Sequence, residues 1–177
     1  MTATDDRVQA YAEGMLSIAR AEGTLDEVSD ELFRFARALD GSEELRTALT
    51  DPHLPASRRQ QIVEDLLGNK ATPTTVALVS MAVGAGRAKD LGAIIGSLVE
   101  RSAQEADKSV AEVRSTVELT EDQRTRLAAA IEKATGKAVD VKVIIDPTVL
   151  GGIVTTIGDT VIDGSVKSRL DQLKHAF

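Results

Sequence analysis

Apolar residues recur at helical spacing through the first hundred or so positions, and alternate with polar ones thereafter. Over residues 5–21, Val8, Tyr11, Met15, Ile18 and Ala19 share one face of a helix, and Gly23 ends it. Leu25, Val28, Leu32, Phe35 and Leu39 follow at spacings of 3, 4, 3 and 4, an inward stripe on a second helix. Thr24 with Glu27 three residues on predicts a capping box at its start, and Gly41 a left-handed cap at its end. Ser42 opens a short helix carrying Leu45 and Leu49, which Asp51-Pro52 stops. Residues 56–67 form a fourth helix with Ile62, Val63, Leu66 and Leu67 inward. Thr72-Pro73, an N-cap followed by proline in the first turn, opens a fifth that runs to about Val83. That helix is apolar nearly all round, so it is central in a bundle or needs a partner on its outer side. Leu91, Ile94, Ile95, Leu98 and Val99 mark a sixth helix, to about Asp107.

Near Lys108 the period changes from helical to alternating. Val113, Ser115, Val117 and Leu119 alternate with polar residues as a first strand. Thr120 and Gln123 predict a second capping box, opening a helix with Leu127, Ile131 and Ala134 inward that runs to Gly136. Val139, Val141, Val143 and Ile145 make a second strand, ended by Asp146-Pro147. Residues 153–157 and 160–162 flank Gly158-Asp159 as a hairpin with a two-residue turn. Asp163-Gly164-Ser165 opens a final helix with the stripe Val166, Leu170, Leu173 and Phe177. The expected fold is mainly α with a small α+β domain. A six-helix bundle over 1–107 is followed by a β-α-β-β-β-α unit over 108–177.

Composition narrows the function. Aromatics are 2% of the 177 residues, with no Trp, which argues against a platform that stacks bases. A net charge of −7 argues against a general grip on phosphate backbones, so no nucleic-acid partner is expected. The absence of Cys removes disulfides, thiolate metal sites and cysteine nucleophiles. No apolar run reaches the roughly 18 residues of a spanning helix, and Met1–Asp6 shows no signal-peptide pattern. A soluble chain on the cytoplasmic side is therefore expected, without membrane insertion. Residues 1–51 carry 12 acidic against 5 basic residues, which suggests different partners at the two ends; a solvated helix surface accounts for it equally.

Candidate chemistry is sparse. His53 and His175 have no second ligand or activated nucleophile at a suitable spacing. Asp26, Asp30 and Glu31 lie opposite the apolar stripe of their helix and read as solvated surface. Gly84-Ala85-Gly86 follows a helix rather than a strand, unlike a dinucleotide loop, and Gly151-Gly152 lacks the Lys of a phosphate-binding loop. No catalytic, cofactor-binding or metal residue is assigned.

One stretch is specific. Ile145-Asp146-Pro147-Thr148-Val149-Leu150-Gly151-Gly152-Ile153, then Ile157 to Lys167, then Arg169-Leu170 and Leu173, resembles the signature of the delta subunit of F-type ATP synthases, the oligomycin-sensitivity-conferring protein family. Tyr11-Ala12, Leu49-Thr50-Asp51-Pro52 and Gly86-Arg87 resemble that family's N-terminal landmarks. The resemblance implies a non-catalytic peripheral-stalk subunit, a monomer in isolation and one copy per complex, on the cytoplasmic face of the cell membrane. Its helical domain would hold the N-terminal segment of an alpha subunit between its first and fifth helices. The matching positions here are Tyr11, Gly14, Met15, Ala77, Leu78 and Met81, for each of which ordinary bundle core is the other reading. The second domain would hold b-type stalk helices, with Leu173 and Phe177 as candidate contacts. Asp146, Gly151, Gly152, Gly158, Asp159, Asp163, Gly164 and Ser165 are signature positions assigned to shape. Two other classes stay open: a helical adaptor unrelated to ATP synthesis, and a ligand-sensing module.

Overall fold

A computed structural model describes residues 3–106, 108–149, 152–158 and 160–163. The chain is mostly helical with one small sheet, and it divides into two compact units, Met1–Ser102 and Ala103–Phe177.

The helices of the first part are α1 (Ala3–Ala21), α2 (Leu25–Gly41), α3 (Glu43–Thr50), α4 (Ala56–Leu67), α5 (Pro73–Gly84) and α6 (Leu91–Glu105), with a 3-10 turn at Ala88–Asp90. Each buries an aliphatic stripe. In α1 that stripe is Val8, Ala12, Met15, Leu16 and Ala19. This differs from the expected face: Tyr11 is half-buried and Ile18 is 40% exposed, because Ala12 and Leu16 turn the buried side away from them. In α2 the stripe is broader than the 3-4 pattern, adding Ser29, Phe33 and Ala36 to Val28, Leu32, Phe35 and Leu39.

Caps decide where the helices begin and end. Ser42 Oγ accepts the Leu45 N–H at 3.2 Å, and Thr72 Oγ1 accepts the Thr75 N–H at 3.3 Å. The α5 start has a second, distant cap. Glu31 on α2 accepts the Thr72 N–H at 2.9 and 3.0 Å through its two oxygens, and the Thr72 hydroxyl at 2.9 Å. Two expected caps do not form. Thr24 has φ −114 and ψ 21, outside the extended region an N-cap needs, and its hydroxyl caps nothing. Gly41 is the last helical residue of α2, and Ser42, at φ −124, both ends α2 and opens α3 without a left-handed residue. Gly84 matters for packing: a Cβ there would lie 2.6 Å from Gln60 Nε2, which donates to the Ser80 carbonyl at 3.1 Å and ties α4 to α5.

The second part contains β1 (Ser109–Ser115), α7 (Glu121–Thr135), β2 (Val139–Ile145), β3 (Ile153–Ile157) and β4 (Thr160–Asp163). The sheet order is β2-β1-β3-β4, parallel between β1 and β2 and antiparallel elsewhere. Ala111, Val113, Val139, Val141 and Val143 share the face against which Leu127 and Ile131 of α7 pack. The capping box at Thr120 and Gln123 is present, and Gly136 closes α7 at φ 71. The first strand starts earlier and stops earlier than the alternation predicts. Ser115 pairs with Ile145 on one side and Ile153 on the other, where both partners run out, so Val117 falls beyond the ladder and is 64% exposed. The expected helix carrying Val166, Leu170, Leu173 and Phe177 lies outside the described residues.

Candidate partner-binding face

The site is built on α1 and α5. Thr74, in the first turn of α5, hydrogen-bonds through its hydroxyl to Glu22, just past the end of α1. At the other end, the Arg87 guanidinium stands 6.0 Å from the Tyr11 ring centroid, at the outer limit of a cation–π contact, and 3.8 Å from the Asp90 carboxylate. The two helices therefore run antiparallel beside each other over about 16 Å, the rise of the eleven residues from Tyr11 to Glu22.

Spacing then fixes what lies between those ends. Tyr11, Gly14, Ile18 and Glu22 follow at 3, 4 and 4, and Thr74, Ala77 and Met81 at 3 and 4, so each set is one helix face. The two faces meet at Glu22 and Thr74 and carry the exposed positions between the helices. Gly14 and Ala77 are exposed and small; Ile18 and Met81 are 40% and 43% exposed and large. By this spacing, small Gly14 and Ala77 and large Ile18 and Met81 fall as an exposed strip between the polar contacts at its two ends. A Cβ added at Gly14 would meet nothing within 4 Å, so the packing of this chain does not require glycine there.

Of the six predicted contact residues, four reach this face: Tyr11, Gly14, Ala77 and Met81. Met15 and Leu78 are corrected to core, at 0% and 3% exposure, because each falls on the side of its helix turned toward the domain interior. Ile18, expected on the shared face of the first helix by helical spacing, is instead 40% exposed and lies on the strip. The 3-4-4 spacing from Tyr11 through Gly14 to Glu22 is the signal that would have placed it.

In the second unit, the signature positions hold a turn. Asp146 Oδ1 accepts the Thr148 hydroxyl at 2.6 Å and the Thr148 N–H at 2.9 Å, and Arg114 lies 3.5 Å from the same carboxylate. The Thr148 hydroxyl, then its N–H, with Arg114 adding to them, hold the Asp146 carboxyl below its ordinary value. Gly152 and Gly158 have φ 83 and 55, left-handed conformations that side chains disfavour, and Gly158 begins the β3–β4 turn. Asp163 ends β4. Gly151, Asp159, Gly164, Ser165, Leu173, Phe177 and His175 lie outside the described residues. His53 is exposed, its backbone N–H donating to Asp51 at 2.8 Å. No described helix is long and apolar enough to cross a membrane.

Comparison with known proteins gives a consistent picture. The family model described as ATP synthase delta (OSCP) subunit matches residues 8–177. An ATP synthase subunit delta of Nocardia farcinica is 41% identical over 170 residues, 96% of this chain and 63% of that protein. The Streptomyces griseus subunit delta is 40% identical over 157 residues, 89% of this chain and 58% of that protein. The chain thus spans about three fifths of the length of these curated relatives. Among solved structures, a chain of the Toxoplasma gondii mitochondrial ATP synthase hexamer superposes with a TM-score of 0.54 at 21% identity, covering 99% of this chain and 97% of that one.

Proposed function

The chain belongs to the ATP synthase delta (OSCP) subunit family, and from that membership we propose that it is a non-catalytic stator subunit of a rotary ATP synthase. It links the alpha subunits of the catalytic head to b-type peripheral-stalk helices, and so keeps the head from turning with the rotor. Its helices α1–α6 form the bundle that grips the head, and the unit beginning near Lys108 holds the stalk. It works as a single copy on the cytoplasmic face of the cell membrane, and it needs no cofactor.

The observation that carries the reading is the α1–α5 strip. Ile18 and Met81 leave large apolar groups in water on neighbouring helices, flanking positions small enough for another helix to approach. An amphipathic helix laid in such a groove anchors through side chains one turn apart. The N-terminal segment of an alpha subunit is the proposed occupant, and Gly14 supports it. Glycine within a helix lowers stability by roughly 0.5–1 kcal/mol relative to alanine, and no neighbour in this chain compensates.

The test is coupling rather than catalysis. Membranes stripped of this subunit, with heads and stalk otherwise complete, are reconstituted with the full chain, and ATP-driven ion pumping and ATP hydrolysis are measured together. The expected outcome is restored pumping with hydrolysis by detached heads unchanged by the chain. Loss of hydrolysis by detached heads when the chain is omitted would contradict a mechanical role.

A further inference from the structure

Helix α5 carries apolar residues on nearly every side, so burial of apolar area does not by itself decide which side turns inward. Its observed setting bears this out. Thr75 and Ser80 are buried on the inner side with Leu78, Val79, Ala82 and Val83, while Met81 stays exposed. Methionine and leucine are close in volume and exchange readily in cores, so turning Met81 inward in place of Leu78 carries little penalty. Apolar burial therefore leaves the rotation of α5 weakly specified, and polar contacts must choose it.

Gln60 of α4 donates to the Ser80 carbonyl at 3.1 Å, and Glu22, just past α1, accepts the Thr74 hydroxyl. Glu31 makes the most extensive of these ties. Its helix neighbours Val28, Leu32 and Phe35 are packed in the core, so α2 holds it in place. Its two oxygens accept the Thr72 N–H at 3.0 and 2.9 Å, and one of them accepts the Thr72 hydroxyl at 2.9 Å. Thr72 Oγ1 in turn accepts the Thr75 N–H at 3.3 Å, which carries the link from α2 into the first turn of α5. A carboxylate at a helix N-terminus is favoured by the helix dipole, and hydrogen bonds to a charged group are stronger than neutral ones. Turning α5 about its axis would carry Thr72 away from this carboxylate. We propose that Glu31 is the positioning residue that sets the rotation of α5 and so keeps Ala77 and Met81 on the outer side. Its consequence for partner binding rests on the reading of the α1–α5 strip as the grip on the head.

The test uses the full chain with isotope-labelled methionine methyl groups, whose relaxation by a dissolved gadolinium chelate is recorded. In the wild-type chain Met81 is open to the probe and Met15, fully buried, is not. In Glu31→Ala the Met81 relaxation should fall toward that of Met15. Glu31→Gln can still accept the Thr72 N–H and donate to its hydroxyl, so it should keep the wild-type pattern. Calorimetric titration with an alpha-subunit N-terminal peptide supplies the second readout. Affinity should drop about three- to tenfold in Glu31→Ala, the share of the contact that Met81 supplies, and stay near wild type in Glu31→Gln. Glu31→Leu, which keeps bulk but accepts nothing, replaces Glu31→Ala should that variant melt too low for study. A folded Glu31→Ala or Glu31→Leu chain in which Met81 stays as accessible as in wild type overturns the proposal, whatever its melting temperature: Glu31 would then be a stabilising cap alone. A protected Met81 with unchanged peptide affinity overturns its role in partner binding. Failure of the wild-type chain to bind the peptide would instead remove the grip on the head, and the relaxation measurement, which needs no partner, still decides the role of Glu31.

Discussion

Met81→Asp separates a partner-binding face from ordinary core. Met81 is 43% exposed, so its replacement takes from the free chain the part already buried, about 0.9–1.7 kcal/mol. Helix propensity adds about 0.5 kcal/mol, and the two together lower the melting temperature of a domain this size by about 6–18 °C. Covering the residue is another matter. Full burial of a methionine contributes roughly 1.5–3 kcal/mol, and the 43% still open corresponds to about 0.6–1.3 kcal/mol of binding lost with the side chain. Burying an unpaired carboxylate in its place adds at least about 1–3 kcal/mol. Together these predict binding weaker by about 2–4 kcal/mol, a factor of roughly 30 to 1,000. The assay is calorimetric titration of the folded variant with an alpha-subunit N-terminal peptide, preceded by thermal melting. Leu78→Asp is the contrast: at 3% exposure it places the charge in the core and should unfold the unit outright. Unchanged peptide affinity in a folded Met81→Asp chain refutes the groove, and unfolding of that variant refutes the exposure on which it rests.

Two further outcomes follow from particular residues. Gly14→Ala should raise stability by about 0.5–1 kcal/mol, since a Cβ there meets nothing within 4 Å; Gly14→Leu should leave the melt intact and weaken the peptide, and unaltered peptide affinity in Gly14→Leu would show that no helix approaches at this point. Asp146 should titrate below the ordinary aspartate value by carboxyl carbon shifts, because Thr148 and Arg114 favour its charged form. A carboxylate held low in the folded state contributes stability above its unfolded value and loses it as pH falls through the folded one, so the β2 turn should loosen only in acid. Thr148→Val should bring the titration back up toward the ordinary value, and no upward movement would remove the hydroxyl as its main cause.

Local chemistry was legible where it is self-contained. Ser42, Thr72 and the Thr120–Gln123 box cap their helices as their spacing predicts, and the alternation over 139–145 is a strand in full. What was not legible depends on neighbours. Thr24 carries the residue pattern of a cap, but its N–H donates to the Ala19 carbonyl at 3.0 Å, in the turn that finishes α1, and its backbone is left short of the extended region. Val117 continues the alternation of β1 past the point where β2 and β3 end, and pairing rather than pattern sets a strand's length. Which apolar helix positions turn inward was hidden in the same way. Tyr11, Met15, Ile18 and Leu78 are all apolar and all periodic, and only the positions of the flanking helices decide which of them face inward. The tertiary cap from Glu31 to Thr72, 41 residues apart, has no local signature at all.

The strip's own chemistry limits how it can grip. Covering what is exposed of Ile18 and Met81 contributes together only about 1–3 kcal/mol. Association costs an estimated 4–15 kcal/mol in lost translational and rotational freedom. The two large residues therefore cannot hold a partner by themselves, and most of the favourable energy must come from side chains that the partner inserts. In the proposed grip Gly14 and Ala77 would act there: small residues let a second backbone come close, so that a bulky partner side chain would be buried on both sides rather than laid on a flat surface. The end contacts, Glu22 with Thr74 and Tyr11 with Arg87, join α1 and α5 at the two ends of the strip. A grip of the proposed kind would select a helix with one large apolar residue per turn on one face, and its strength would depend on depth at Gly14 more than on the apolar area already visible on its flanks.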